Sequence, residues 1–178
     1  MQEHYECQEG RYYRGDHFYD FKDFFSDIDR ESRVINFGCG RGSSLKEFPR
    51  GLGIDFNTKL QKVWEEVGVA DRCRVCEATD IPANDHNFDW SISSDFLEHV
   101  QPDQVDGVIR EMDRVAPSGK HVIHMNAESG YRGPNGENLH VSANNTTFWD
   151  ETFERLIRTE ELYTKRIGNY FFVCWKNV

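Results

Sequence analysis

The chain has 178 residues, 38% of them apolar and 29% charged, and 31 acidic against 21 basic side chains leave a formal net charge of -10. That length fits one domain with a full core, and 13 Phe, 7 Tyr and 4 Trp make it aromatic-rich for a globular protein. The acidic surplus offers no bulk attraction to a polyanion, so no nucleic-acid partner is expected. No run of about 18 apolar residues suits a membrane span, so no membrane partner is expected either.

Residues 1–6 have neither a basic start nor an apolar segment, so no secretory signal is expected. The five cysteines are too few for a disulfide scaffold, and a reduced, cytoplasmic setting is the expectation. Cys73 and Cys76 form a C-x-x-C pair, which suits half a zinc site, a redox dithiol, or two small residues on a short strand. The last reading is favoured, because no second pair or nearby His pair completes four ligands. No metal site is therefore expected.

In chain order, Phe18, Phe21, Phe25 and Ile28 recur at helical spacing and predict an N-terminal helix over 16–28. Val34 to Phe37 reads as a strand that runs into glycines at 38, 40 and 42. Ser43 to Phe48 is a short helix stopped by Pro49, and Leu52 to Ile54 is a second strand. Leu60, Val63, Trp64 and Val67 share a helical face that Gly68 terminates. Cys73–Cys76 and Phe88–Ser93 read as the next strands, with a helix over Asp103–Val115 and a fifth strand over His121–Met125. Thr147 and Asp150 resemble a capping box for a helix carrying Phe153, Leu156 and Ile157. Two β-like runs, Leu162–Ile167 and Tyr170–Trp175, flank Gly168-Asn169 and form a hairpin signal. The fold class expected is α/β: a Rossmann-like three-layer sandwich with a mostly parallel seven-stranded sheet and a C-terminal antiparallel hairpin. Its Phe- and Tyr-rich edge is one on which a homodimer could form.

The sharpest chemical feature is Val34-Ile35-Asn36-Phe37-Gly38-Cys39-Gly40-Arg41-Gly42, a strand feeding a glycine turn and then a helix. Glycines let backbone bend tightly and approach a ligand beyond the carboxyl end of the strand. A dinucleotide fingerprint would want its third glycine at 43, where Ser43 stands, which argues against a nicotinamide-dependent oxidoreductase. Asp55 closes the second strand about 20 residues on, where an acid can accept hydrogen bonds from ribose hydroxyls.

The G-x-G-x-G spacing resembles the first motif of class I S-adenosylmethionine-dependent methyltransferases. Ala78-Thr79-Asp80-Ile81-Pro82 and Asn87-Phe88-Asp89 through Leu97-Glu98-His99-Val100 resemble later blocks of that family, in the branch that often methylates small molecules. The likeness covers about residues 33–126.

It implies S-adenosylmethionine as cofactor, held by Gly38, Cys39, Gly40, Gly42, Asp55, Phe56, Thr79, Asp80, Ile81, Ser94, Asp95 and Phe96. Asp80 would face the adenine amino group, Ile81 would pack on the ring, and Ser94–Phe96 would lie beside the methionine part. The D/N-P-P-Y/F motif of base-amino methylation is missing, since the place reads Ser94-Asp95-Phe96-Leu97. A small-molecule acceptor, such as a sugar or other metabolite, is therefore expected, with the methyl moved by direct in-line displacement. The alternative is a catalytically silent cofactor-binding sensor or partner subunit.

An oxygen acceptor would profit from a general base, for which His140, His99 and Asp95, and then His124, are the candidates. His99 could instead stabilise the adjoining loop, and a divalent ion held by Glu98 and His99 is the less favoured reading. Tyr12, Tyr13 and Arg14 could close over the ligands or only anchor the first helix. The expected organisation is one methyltransferase-like unit over 1–178. Its parts are a helical cap at 1–30, a cofactor-binding core at 33–126, an acceptor-side loop at 127–150, and a helix and hairpin at 151–178.

Overall fold

Each short apolar run of the sequence forms a strand: β1 (Val34–Phe37), β2 (Leu52–Asp55), β3 (Cys73–Val75), β4 (Trp90–Ser94), β5 (Ser118–His124), β6 (Glu161–Ile167) and β7 (Tyr170–Lys176). The computed structural model describes residues 17–127, 132, 135–143 and 145–177. The strands join in one seven-stranded sheet of order β3-β2-β1-β4-β5-β7-β6. Strands β1 to β5 run parallel, and β7 lies antiparallel between β5 and β6. The helices are α1 (His17–Asp20), α2 (Ser44–Glu47), α3 (Leu60–Val67), α4 (Val105–Val115) and α5 (Thr146–Leu156). Among the described residues, no helix is long and apolar enough to cross a membrane.

Alternate residues of each strand serve opposite faces of the sheet. Ile35, Phe37, Ile123, Phe171 and Val173 pack with Ile109 and Met112 of α4 and with Trp149 and Phe153 of α5. Val34, Ile92 and Val122 point the other way, onto Phe18, Phe25, Ile28 and Phe48. Farther along that face, Leu45, Leu60, Trp64 and Val69 enclose Cys39 and Cys73. All four residues of β1 are buried, which is why a central parallel strand reads as an unbroken apolar run. Gly119 has a packing reason of its own, since a Cβ there would lie 2.3 Å from the Trp175 ring.

Three expectations need correction. The N-terminal segment is not one helix over 16–28: α1 has one turn, Phe21 leaves helical geometry, and a 3-10 turn covers Lys22–Phe25. Phenylalanines three or four apart suit either geometry, and packing decides between them, with Phe18 stacked on Phe25 at 5.3 Å. The Lys120 ammonium secures this segment by donating to the Phe24 carbonyl at 2.8 Å and pairing with Asp27, whose carboxyl it helps hold below its usual range against the opposing effect of burial.

Second, β5 starts at Ser118 rather than His121, because ladder partners on β4 and β7 already engage Gly119 and Lys120. Third, α5 begins at Thr146, so the 127–150 loop ends earlier than expected. Its cap is Asn145, whose side chain accepts from the Phe148 N–H at 3.0 Å, and not Thr147. Tyr12, Tyr13 and Arg14, with their expected closing role, lie outside the described residues.

His121 is fully buried, with the Ser93 and Ser91 hydroxyls 2.8 and 3.3 Å from its ring nitrogens and Trp175 stacked on it at 4.9 Å. Burial lowers its pKa to about 3. In an unfolded chain the value returns to about 6.5, so at lower pH the unfolded state takes up a proton that the folded state refuses, and stability falls as pH falls. His121→Asn should be less stable than the parent at pH 7. The gap in urea unfolding free energy should close by about 2 kcal/mol between pH 7 and pH 5. A gap independent of pH would show that His121 titrates alike in both states.

Candidate active site

The carboxyl ends of β1, β2 and β4 meet at one edge of the sheet, and the glycine turn after β1 forms the floor of a cleft there. Gly38, Gly40 and Gly42 all have positive φ, at 66°, 50° and 79°, a region that side chains rarely adopt. At Gly38 a Cβ would also lie 2.4 Å from the Phe96 ring, so glycine is required twice over. The turn is tied down by Cys39 N–H donating to the Ile54 carbonyl at 2.9 Å and by Trp64 Nε1 donating to the Gly40 carbonyl at 2.7 Å.

Asp55 holds the turn from the neighbouring strand. Its Oδ2 accepts from Gly40 N–H at 3.1 Å and its Oδ1 from Asn57 N–H at 3.0 Å. Burial raises its pKa, and these backbone donors act against that rise. The Cys39 thiol meets that of Cys73. The Cys39 thiol is pushed well above its ordinary value, first by its hydrogen bond with Cys73 and then by burial. The C-x-x-C pair divides accordingly: Cys73 faces Cys39, whereas the Cys76 thiol lies 3.2 Å from the Glu77 carbonyl.

One half of the cleft is lined by Gly38, Asp55, Phe56, Thr79, Phe96 and neighbours, including Cys76, Glu77 and Ala78. Asp80 and Ile81 do not line it. Ile81 is buried in the core with its N–H donated to Glu111 Oε1 at 2.7 Å, and Asp80 is exposed. Arg114 fixes this turn by bonding Glu111 twice, at 2.6 and 2.7 Å, and the Ile81 and Ala83 carbonyls. The rim expected from Asp80 and Ile81 is thus supplied by residues 76–79, because Ile81 is drawn inward.

The other half continues from Cys39, Gly40 and Ser94 to His17, Asp95, His99, His124, His140 and Tyr170. Gly38, Asp55, Asp95 and His99 border both halves, so the two form one continuous cleft. Gly42 sits behind it, packed toward Val69 and Cys73. Asp95 follows β4 with φ of 48°, a strained value for a residue with a side chain. Its Oδ2 lies 3.1 Å from His17 Nδ1, and burial raises its pKa.

The histidines assemble from three segments. The His99 and His140 rings meet edge-on at 4.7 Å, and His124 lies 5.0 Å from His140. His99 Nδ1 bonds the Leu139 carbonyl at 3.0 Å and His140 Nδ1 the Asn126 carbonyl at 3.0 Å. Burial lowers the pKa of His99 to about 3 and of His140 to about 4, so both imidazoles are neutral.

His140 is 4% exposed, far from the surface loop position its sequence context suggests. The segment around it is anchored by Ser142, which donates its hydroxyl to Val100 O at 2.7 Å and its N–H to Glu98 O at 2.9 Å. Sequence reasoning missed His17 and Tyr170. His17 carries no spacing signal. Tyr170 was accessible, since the hairpin pairs it with His124 at the end of β5.

Residues 35–123, half of the chain, match the methyltransferase-domain family. An uncharacterised protein of Methanocaldococcus jannaschii is 26% identical over 93 residues, which are 52% of this chain and 43% of that protein. The chain thus spans less than half the length of this curated relative. The PH0226 protein of Pyrococcus horikoshii has a similar structure, with a TM-score of 0.70 at 15% identity over 96% of this chain and 93% of that one. A SAM-dependent methyltransferase of Methanosarcina mazei gives 0.63 at 17% identity over 86% and 96%. The family match and the Rossmann-like sheet agree: the chain belongs to the class I S-adenosylmethionine-dependent methyltransferases, with S-adenosylmethionine as its cofactor.

Proposed function

We propose that this protein moves the methyl group of S-adenosylmethionine to a small-molecule acceptor by direct in-line displacement, in a reducing, cytoplasmic setting. The observation that carries this reading is the single cleft that joins the Asp55-clamped glycine turn to a wall of histidines. In this reading Gly38, Cys39 and Gly40 approach the methionine part through their backbone, and Gly42 gives the turn its shape. Asp55 receives the ribose hydroxyls: its oxygens already accept two N–H groups, but a carboxylate has about four acceptor positions. Phe56 and Thr79 border the adenine, with residues 76–78 in the place first given to Asp80 and Ile81. Ser94, Asp95 and Phe96 lie beside the sulfonium.

Displacement at a sulfonium carbon asks mainly for alignment and exclusion of water. When bound, S-adenosylmethionine would supply the methyl group, its carbon–sulfur electron pair leaving with the sulfur, and an O–H or N–H acceptor would lose its proton to solvent. His99 and His140 contact and orient the acceptor in this scheme, since imidazoles of such low pKa are weak bases at neutral pH.

Calorimetric titration should give saturable micromolar binding of S-adenosylmethionine and of its demethylated product, with none for NADH. Release of the demethylated product in the presence of a panel of hydroxyl- and amine-bearing metabolites then tests transfer. Cofactor binding with no turnover on any acceptor would favour the silent sensor or partner subunit. A folded protein that binds neither sulfur ligand would defeat the reading.

Two substitutions test the cofactor half. Asp55→Ala should weaken binding of the demethylated product at least tenfold, about 1.4 kcal/mol. Gly38→Ala should weaken it similarly, because its methyl group displaces Phe96. Unchanged affinity in both would remove the glycine turn from the binding site.

A further inference from the structure

Beneath the histidine wall lies a group that the transfer reaction does not use. Glu98 is completely buried, at 0% exposure, on the turn after β4. Its Oε1 accepts from His124 N–H at 3.2 Å. Its Oε2, as a carboxylate oxygen, has no hydrogen-bond partner, and Asp95 Oδ1 is in the same condition. A buried anion with an open lone pair is costly and calls for a compensating positive charge. A proton held between Glu98 and Asp95 would supply it. A cation would supply it better where other donors converge.

They do converge: one ligand atom each from Glu98, His99 and His140 lie within 4.8 Å of one another. The geometry points to a site for a divalent transition-metal ion formed by Glu98, His99 and His140 on the acceptor side of the cleft. Two imidazoles and one carboxylate are the donor set of open zinc and non-haem iron(II) centres, which keep positions for an exogenous ligand. Metal-binding histidines usually give their other N–H to a carbonyl or carboxylate, and here His99 Nδ1 and His140 Nδ1 both meet backbone carbonyls at 3.0 Å. That contact puts the lone pair on Nε2 of each ring and sets its orientation.

The three ligands come from the turn after β4 and from the segment 135–143, so an ion would also join those segments. His99 and His140 border the cleft, whereas Glu98 lies behind it. An acceptor able to coordinate through a hydroxyl or carboxylate oxygen is the class that such an ion would select. This last point rests on the proposed transfer function; the ion site itself does not.

The test uses protein stripped with a chelator and titrated with Co2+ as a coloured probe, without cofactor or acceptor. One Co2+ per chain should bind, with visible bands of a four- or five-coordinate site that Zn2+ bleaches by competition. Glu98→Gln and His140→Ala should each weaken binding at least tenfold, while His86→Asn, at an exposed histidine, leaves it unchanged. Circular dichroism and melting of each metal-free variant establish that it is folded. Should either variant fail to fold, protection of the parent's histidines from acylation by stoichiometric Zn2+ provides the same evidence without substitution. Absence of saturable binding to the parent would overturn the proposal. So would binding that survives Glu98→Gln and His140→Ala, or that is lost with His86→Asn. Because the readout is ion stoichiometry, failure here leaves methyl transfer untouched, and failure of methyl transfer leaves an ion site detectable.

Discussion

The position of β1 is the constraint from which the site follows. From β1 the chain crosses first to β2 on one side, and later in the sequence β4 takes the place on its other side. Connections that leave in opposite directions cannot both cover the same strand end, so a crevice opens at the carboxyl edge between them. The glycine turn falls there because it is the first thing to follow β1. Its three left-handed residues let the chain turn tightly enough to keep the crevice open. Asp55, at the equivalent end of β2, then bonds the turn across the crevice.

Polar groups buried around this crevice illustrate two different solutions to the same cost. Asp55 is satisfied by backbone donors from the loops it organises, and His121 by two serines beneath Trp175. Lys120 reaches the opposite surface of the sheet and there fastens the N-terminal segment. Each of these groups fixes the position of a neighbour. Glu98 is different, because half of its carboxylate has no neighbour to fix. Trp149 and Trp175 also bury an indole N–H without a partner, but those groups are neutral, and an orphaned carboxylate oxygen calls more strongly for a ligand or a shared proton.

The fold was readable from the sequence to the extent that local signals decided it. Val34–Phe37 before Gly38, Gly68 at the end of α3 and Gly168-Asn169 between β6 and β7 each act within a few residues, and each stands where expected. Departures occur where distant partners overrule local preference. The N-terminal phenylalanines give up a continuous helix to pack on the sheet, and Ser118 to Lys120 are drawn into β5 by β4 and β7. Ile81 is the clearest case within the site. A motif position suggested contact with adenine, yet Glu111 and Arg114, some 30 residues away, pin the turn and carry Ile81 inward.

The same distinction separates the two halves of the cleft. The cofactor half is built from short runs at the ends of β1, β2, β3 and β4, each compact enough in sequence to recognise. The acceptor half draws His17 from the N-terminal segment, Asp95 and His99 from the turn after β4, His124 from the end of β5, His140 from a loop and Tyr170 from the hairpin. No spacing rule links these positions, because the sheet order, not the chain order, brings them together. His124 and Tyr170 are partners only through the β5–β7 ladder, and His99 meets His140 only because the loop carbonyl of Leu139 folds back onto its ring. A wall assembled in this way can change one segment at a time while the glycine turn and Asp55 stay as they are. Acceptor choice is therefore the property least legible in the linear sequence and most dependent on the three-dimensional arrangement of the histidines.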